Sequence, residues 1–219
     1  MTNECESHED QNRIRYLFYG ILTLIILTLL TIFLTWIILR PTNPRFTLQD
    51  IRVIAFNLTT TGEPPSLTIP TLNTVTLTIQ ATLSSLNPNS KIGIYYIKLD
   101  AYASYRGQQI SLPIGLPETY QSHGDISIWS PMLYGLAVPV SPYLSEILRQ
   151  DLTSGGVLVD VKVNGRVRWK VGTWVSGGYH IDVNCPAFIR VNGNKGGDRF
   201  EGSNLAVKFQ LSQSCVVDV

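Results

Sequence analysis

Tyr16 to Leu39 is a run of 24 residues without a charge. Apart from Gly20, Thr23, Thr28, Thr31 and Thr35, every member is apolar. A helix of this length rises about 36 Å, enough to cross a bilayer core of ~30 Å. A cleaved leader fits poorly. The run exceeds the ~7–15 apolar residues of such leaders, and no small-x-small site follows it. The segment ends at Arg40-Pro41 instead. The chain is therefore expected to hold a single transmembrane signal-anchor helix over 16–39. A short tail (1–15) precedes it, a linker (40–45) follows, and 46–219 form one folded domain.

This division resolves the formal net charge of +1. The tail carries Glu4, Glu6, Glu9 and Asp10 against Arg13 and Arg15, while residues 40–219 hold 15 Lys/Arg and 12 Asp/Glu. So small a basic excess argues against nucleic acid as a partner. Arg13 and Arg15 flank one end of the anchor and Arg40, Arg45 and Arg52 follow the other, so the positive-inside count does not favour a cytosolic N-terminus. Two other features do. Asn57-Leu58-Thr59 is an N-glycosylation sequon, and Cys185 and Cys215 both lie in the large C-terminal part. The expected topology is N-terminus cytosolic and domain extracytoplasmic. Thr28, Thr31 and Thr35 share one helix face. That stripe serves either helix–helix packing or hydroxyl bonds back to its own helix.

Beyond the linker the period changes from helical to two. Phe46 to Leu58 reads as a first strand. Val75, Leu77, Ile79, Ala81 and Leu83 then alternate with threonines, the pattern of a half-buried strand. Asn87-Pro88-Asn89 marks a turn. Ile92 to Tyr105 resumes the strand pattern, with Tyr95, Ile97, Leu99, Ala101, Ala103 and Tyr105 expected on one face. Residues 111–124 are rich in Pro and Gly and read as loop, and Ile126 and Ile128 begin another strand. Ser141 and Pro142 predict a helix start. Leu144, Ile147 and Leu148 supply its apolar face, and Gly155-Gly156 its stop. Val157 to Val171 is the longest alternation. Further strands are expected near 180–191 and 205–211. Many strands and one inserted helix predict a mainly β domain, a β-sandwich.

The longest alternation turns Lys162, Arg166, Arg168 and Lys170 to one side, alternate members ~6–7 Å apart. Such cations suit an acidic polysaccharide, a lipid head group or an acidic protein. The plainer alternative is a solvated sheet face. Nucleic acid is disfavoured again, because no aromatic series runs with the cations on this strand. His8, His123 and His180 have no ligand spacing, so neither metal nor cofactor is expected. The CxxC, HExxH, GxSxG and phosphate-loop patterns do not occur, which argues against an enzyme. Cys185 and Cys215 are 30 positions apart. They form either a disulfide, which the inferred compartment favours, or two buried thiols. A sandwich interior opened at one end is a second candidate site, for an acyl chain.

Several of these segments together resemble the plant harpin-induced-like, or non-race-specific disease-resistance-like, family, which carries a late-embryogenesis-abundant group 2 domain. The resemblance runs through Asn87-Pro88-Asn89-Ser90-Lys91-Ile92-Gly93-Ile94-Tyr95-Tyr96, Tyr105-Arg106-Gly107 and Tyr120-Gln121-Ser122-His123-Gly124. It continues in Val161-Lys162-Val163-Asn164, Val167-Arg168-Trp169-Lys170-Val171-Gly172, Val183-Asn184-Cys185 and Cys215-Val216-Val217-Asp218. Ile97 stands where the family usually has an acidic residue, and no hydrophobic tail follows Cys215, so a GPI-type anchor is not indicated. The resemblance implies a fibronectin type III-like β-sandwich facing outward from a plasma membrane. It also implies a role in plant defence signalling or membrane-to-wall adhesion, and no catalytic residues. The expected partners are the lipid bilayer and, for the outer domain, a receptor-like or immune-signalling protein, an acidic cell-wall polymer or a second copy of the chain.

Overall fold

The computed structural model describes residues 3–38, 41–61, 72–190, 199–200 and 212–219. They fall into two compact units, Met1–Pro41 and Thr42–Val219.

The first unit is one helix, α1 (Asn3–Ile38). It begins well before the apolar run, because extending a nucleated helix costs far less than starting one. Arg15–Leu34 is long and apolar enough to cross a membrane. The Oγ1 atoms of Thr28 and Thr31 donate to the carbonyls of Ile25 and Thr28, each at 2.8 Å. Their hydroxyls are thus satisfied inside the helix, the second of the two expectations for the threonine stripe.

In the second unit the elements are β1 (Arg45–Thr61), β2 (Leu72–Leu86), β3 (Ile92–Tyr105), β4 (Gln108–Gln109), β5 (Ile114–Leu116), β6 (Thr119–Gln121), β7 (Ile126–Trp129) and β8 (Met132–Val140). They continue with α2 (Pro142–Thr153), β9 (Gly156–Val171), β10 (Trp174–Val175), β11 (Tyr179–Arg190), β12 (Arg199–Phe200), β13 (Gln213–Ser214) and β14 (Val216–Asp218). Two antiparallel sheets result. One centres on β1 and β2, flanked by β7, β8, β12 and β13. The other runs β14–β11–β9–β3, with β4, β5 and β6 on β3 and β10 on β9. The architecture is the expected β-sandwich.

The core follows from period two, with resets. On β2, Val75, Leu77, Ile79, Ala81 and Leu83 have no exposed surface. On β1, bulges between Leu48/Asp50 and Val53/Ala55 shift the phase, so the inward residues are Phe46 and Leu48, then Ile51 and Val53, then Phe56 and Leu58. β3 departs from the sequence expectation. A bulge between Tyr96 and Lys98 makes Ile94 and Tyr96 inward before it and Leu99, Ala101, Ala103 and Tyr105 inward after it. Tyr95 and Ile97 are therefore not in phase with Leu99. Gly165 on β9 faces this bulge, and a Cβ there would overlap the Lys98 carbonyl oxygen. Residues 111–124 contain the short strands β5 and β6, a second departure. The strand expected near 205–211 lies outside the described residues.

α2 starts as expected: Ser141 Oγ accepts from the Leu144 amide at 3.2 Å, and Pro142 opens the first turn. Leu144, Leu148 and Leu152 are buried beneath it. Arg106 and Gly107 both have positive φ, 48° and 86°, as a tight hairpin turn requires. The turn is tied to α2, because the Tyr105 hydroxyl donates to Asp151 Oδ2 at 2.6 Å and Arg106 Nη2 lies 3.4 Å from the same oxygen.

Burial, reinforced by Asp151, pushes the Tyr105 hydroxyl up to about 12. Burial also raises Tyr96. Unfolded tyrosines ionise near ~10. Between these values the unfolded chain binds fewer protons than the folded one, so stability falls as pH rises through the window. Denaturant titrations between pH ~10 and ~12 should show a falling midpoint, and Tyr105→Phe should flatten part of that slope. A wild-type midpoint unchanged across the window would refute the assignment.

Candidate ligand-binding face of the second sheet

β9 lies between β3 and β11 as far as Val167, and beyond it β10 takes the place of β11, with Val175 opposite Lys170. Arg166 stands between Lys98 and His180, Arg168 beside Tyr95, and Lys170 beside Gly93. Asn164 sits between Asp100 and Asp182, and its Nδ2 donates to Asp182 Oδ1 at 2.7 Å. Lys162, between Tyr102 and Asn184, lies beyond that acidic row. The structure thus brings Arg166, Arg168 and Lys170 together, adds Lys98, and sets Lys162 apart. Arg166 and Arg168 are exposed, and among the described residues neither forms an ion pair.

Two tyrosines complete the face. Tyr120, from β6, lies over β3 with its ring 4.5 Å from that of Tyr95 at 38°. The Tyr120 ring passes over Gly93, where any Cβ would collide with it. Lys170 Nζ sits 5.0 Å from the Tyr120 centroid and 5.6 Å from that of Tyr95, and donates to Tyr95 Oη at 3.3 Å. That hydrogen bond, with both tyrosines nearby, raises the Lys170 pKa. Sequence reasoning missed Tyr95 because of the bulge, and Tyr120 because it sits in a segment read as loop. Aromatic rings therefore do flank the cations, though they come from other strands. A flat ring beside fixed cations suits a pyranose carrying a carboxylate: the ring offers an apolar body, and Arg offers a planar fork for the acid.

The cysteines and the sequon lie elsewhere. Cys185 on β11 and Cys215 are at disulfide distance, with Cα atoms 4.3 Å apart. Cys215 sits where the chain passes from β13, paired with β1, to β14, paired with β11, and its amide donates to Phe46 O at 3.0 Å. Asn57 is half-buried within β1, opposite Thr76.

Other residues of the family segments are architectural. Asn87 Nδ2 donates to the carbonyls of Ile92 and Ser122 at 2.8 and 3.0 Å, and its Oδ1 accepts from the Asn89 amide and side chain at 3.1 and 2.9 Å. Asn89 in turn exchanges two bonds with the Thr42 backbone, both 2.8 Å. Tyr96, Ser85 and Gln121 form a buried network, with Tyr96 Oη donating to Gln121 Oε1 at 2.9 Å.

These features define a β-sandwich of the late-embryogenesis-abundant kind joined to an N-terminal apolar helix. The family model described as "Late embryogenesis abundant protein" matches residues 82–186, from the end of β2 to β11. Among curated relatives, NDR1/HIN1-like protein 1 of Arabidopsis thaliana is 48% identical over 99% of both chains. NDR1/HIN1-like protein 12 of the same plant is 46% identical over 91% of this chain and 89% of its own, and NDR1/HIN1-like protein 26 is 40% identical over 81% and 79%. The chain belongs to the NDR1/HIN1-like family.

Proposed function

We propose that this protein is a single-pass plasma-membrane protein of plant defence whose extracytoplasmic sandwich holds an acidic cell-wall polymer, linking membrane to wall. The observation that carries this reading is the platform of Tyr95, Tyr120 and Lys170 beside Arg166 and Arg168. The defence role rests on family membership. The topology, N-terminus cytosolic, is supported by the cysteine pair at disulfide distance, which suits an oxidising compartment. In that compartment the Asn57 sequon is a glycan acceptor. Receptor-like or immune-signalling proteins and a second copy are competing occupants of the same face.

A lipid between the sheets is the second reading. The buried apolar side chains of both sheets form one hydrophobic cluster. A cavity of about 140 Å³ lies at one edge, lined by Leu48, Asp50, Ile51, Phe188 and Arg190 among others. Ligand pockets usually measure ~300 Å³ or more. The outer face is therefore favoured over the interior.

The test is binding of full-length protein, in neutral phosphatidylcholine nanodiscs, to polygalacturonate. Replacing Arg166, Arg168 and Lys170 together with Gln should weaken binding about tenfold at low ionic strength, with the gap shrinking as salt rises. Lys162→Gln should have little effect. Binding that survives the triple replacement would return these cations to a solvated role. Transfer of the same charge dependence to anionic vesicles, with no binding to polygalacturonate, would favour a lipid ligand.

A further inference from the structure

The sandwich has one end from which its linker leaves, and that end carries an unusual surface. Thr42 is pinned to Asn89 there, in the turn joining β2 to β3. The strand residues nearest this turn identify the rest of the rim. Arg45 pairs with Leu86, and Leu86 with Ile126. In the other sheet Ile92 pairs with Val171, and Val171 with Trp174. Trp174 and Val175 follow the turn Gly172-Thr173 at the end of β9 and are 63% and 40% exposed, and Ile126 is 58% exposed. Arg45 and Lys91 are exposed on the same rim. A bare Trp at a hairpin tip contributes nothing to the core, and its indole has the amphipathic character that collects at membrane–water interfaces.

The covalent chain limits how far this rim can be from a membrane. Four residues of chain lead from Ile38, the last described residue of α1, to Thr42. Extended, they span at most about 14 Å. A bilayer's head-group layer is itself ~5–7 Å thick on each side of the hydrocarbon core. Arg45 and Lys91 can donate charge-assisted hydrogen bonds to the phosphate oxygens that phospholipid head groups carry in either leaflet.

We propose that this rim, with Trp174 and Val175 flanking its turn and Arg45 and Lys91 beside it, is a bilayer-contact surface that seats the sandwich on the phosphates of phospholipid head groups. The proposal rests on the membrane-anchoring reading and adds a second, non-covalent membrane contact to it. Its consequence is a fixed attitude of the sandwich, with the β9 face rising from the lipid plane and Lys170, paired with Val175, at its lower end.

The experiment uses full-length protein in phosphatidylcholine vesicles in which part of the phosphatidylcholine is brominated at shallow or deep acyl positions. Subtracting the emission of Trp174→Phe from that of wild type isolates Trp174, because the other three tryptophans are common to both. The Trp174 component should be blue-shifted and quenched, more by shallow than by deep bromine, and introducing Arg45→Gln with Lys91→Gln should reduce the quenching. A red-shifted, unquenched Trp174 component would overturn the proposal. Trp36, in the apolar run, reports separately on the anchor. Quenching of Trp36, isolated in the same way with Trp36→Phe, without quenching of Trp174 rejects the rim alone, whereas loss of both rejects membrane anchoring itself.

Discussion

Asn87→Ala should cost about 3 kcal/mol or more of folding stability, because it strands several buried partners at ~1–3 kcal/mol each. Asn87 has no exposed surface. Its amide bonds the carbonyls of Ile92 and Ser122, and its carbonyl oxygen holds both nitrogens of the Asn89 turn. The backbone joins in: the Asn87 amide donates to Asp125 O, and Gly124 donates back to Asn87 O. One side chain thus fastens the start of β3, the loop before β7 and, through Asn89, the linker. No water can replace it without entering a closed site. Asn89→Ala should cost less, since Asn89 lies at the periphery of the same set. Chemical denaturation of the detergent-solubilised protein measures both, and a loss under ~1 kcal/mol for Asn87→Ala would show that the network relaxes around the vacancy.

Cys185→Ser should remove a comparable amount. We propose that the pair forms a disulfide in the mature protein, and closing a loop across 30 positions restricts the unfolded chain by roughly 3–4 kcal/mol in the loop-entropy account. Cys185 is completely buried, so the serine hydroxyl adds a desolvation cost. Non-reducing peptide mapping should recover the two cysteines in one linked fragment. Reductant should lower the wild-type unfolding midpoint while leaving Cys185→Ser unchanged. Free thiols at both positions in protein isolated from membranes would overturn the pairing.

How much of this was legible in the sequence depended on whether the signal was local. The helix start at Ser141-Pro142 was readable because a cap and its first turn lie within four residues. β2 and β9 were readable because they keep strict alternation, on β9 from Val157 through Trp169. β3 was readable as a strand but not in its facing. Nothing near Ile97 announces the bulge, whose partner, Gly165, is far along the chain. Tyr95 was accordingly assigned to the wrong face. Tyr120 was hidden for a related reason. β6 is three residues long and exists only because β3 offers it an edge, so no periodicity could reveal it. The cation set shows the same limit. Spacing on β9 placed Lys162 with Arg166, Arg168 and Lys170, but spacing along one strand is blind to Asp100 and Asp182, which arrive from both neighbours and divide the row.

The pinning of Thr42 to Asn89 has a mechanical consequence. Tension entering through the linker runs straight into β1, whose ladder with β2 extends from Arg45 to Thr61. In an antiparallel pair the hydrogen bonds lie across the strands, so a pull along β1 strains many of them side by side rather than one at a time. The two bonds to Asn89 bear the first strain, before the ladder does. A domain strung between a membrane and a wall under turgor would meet that load in shear, the direction in which a sheet yields last.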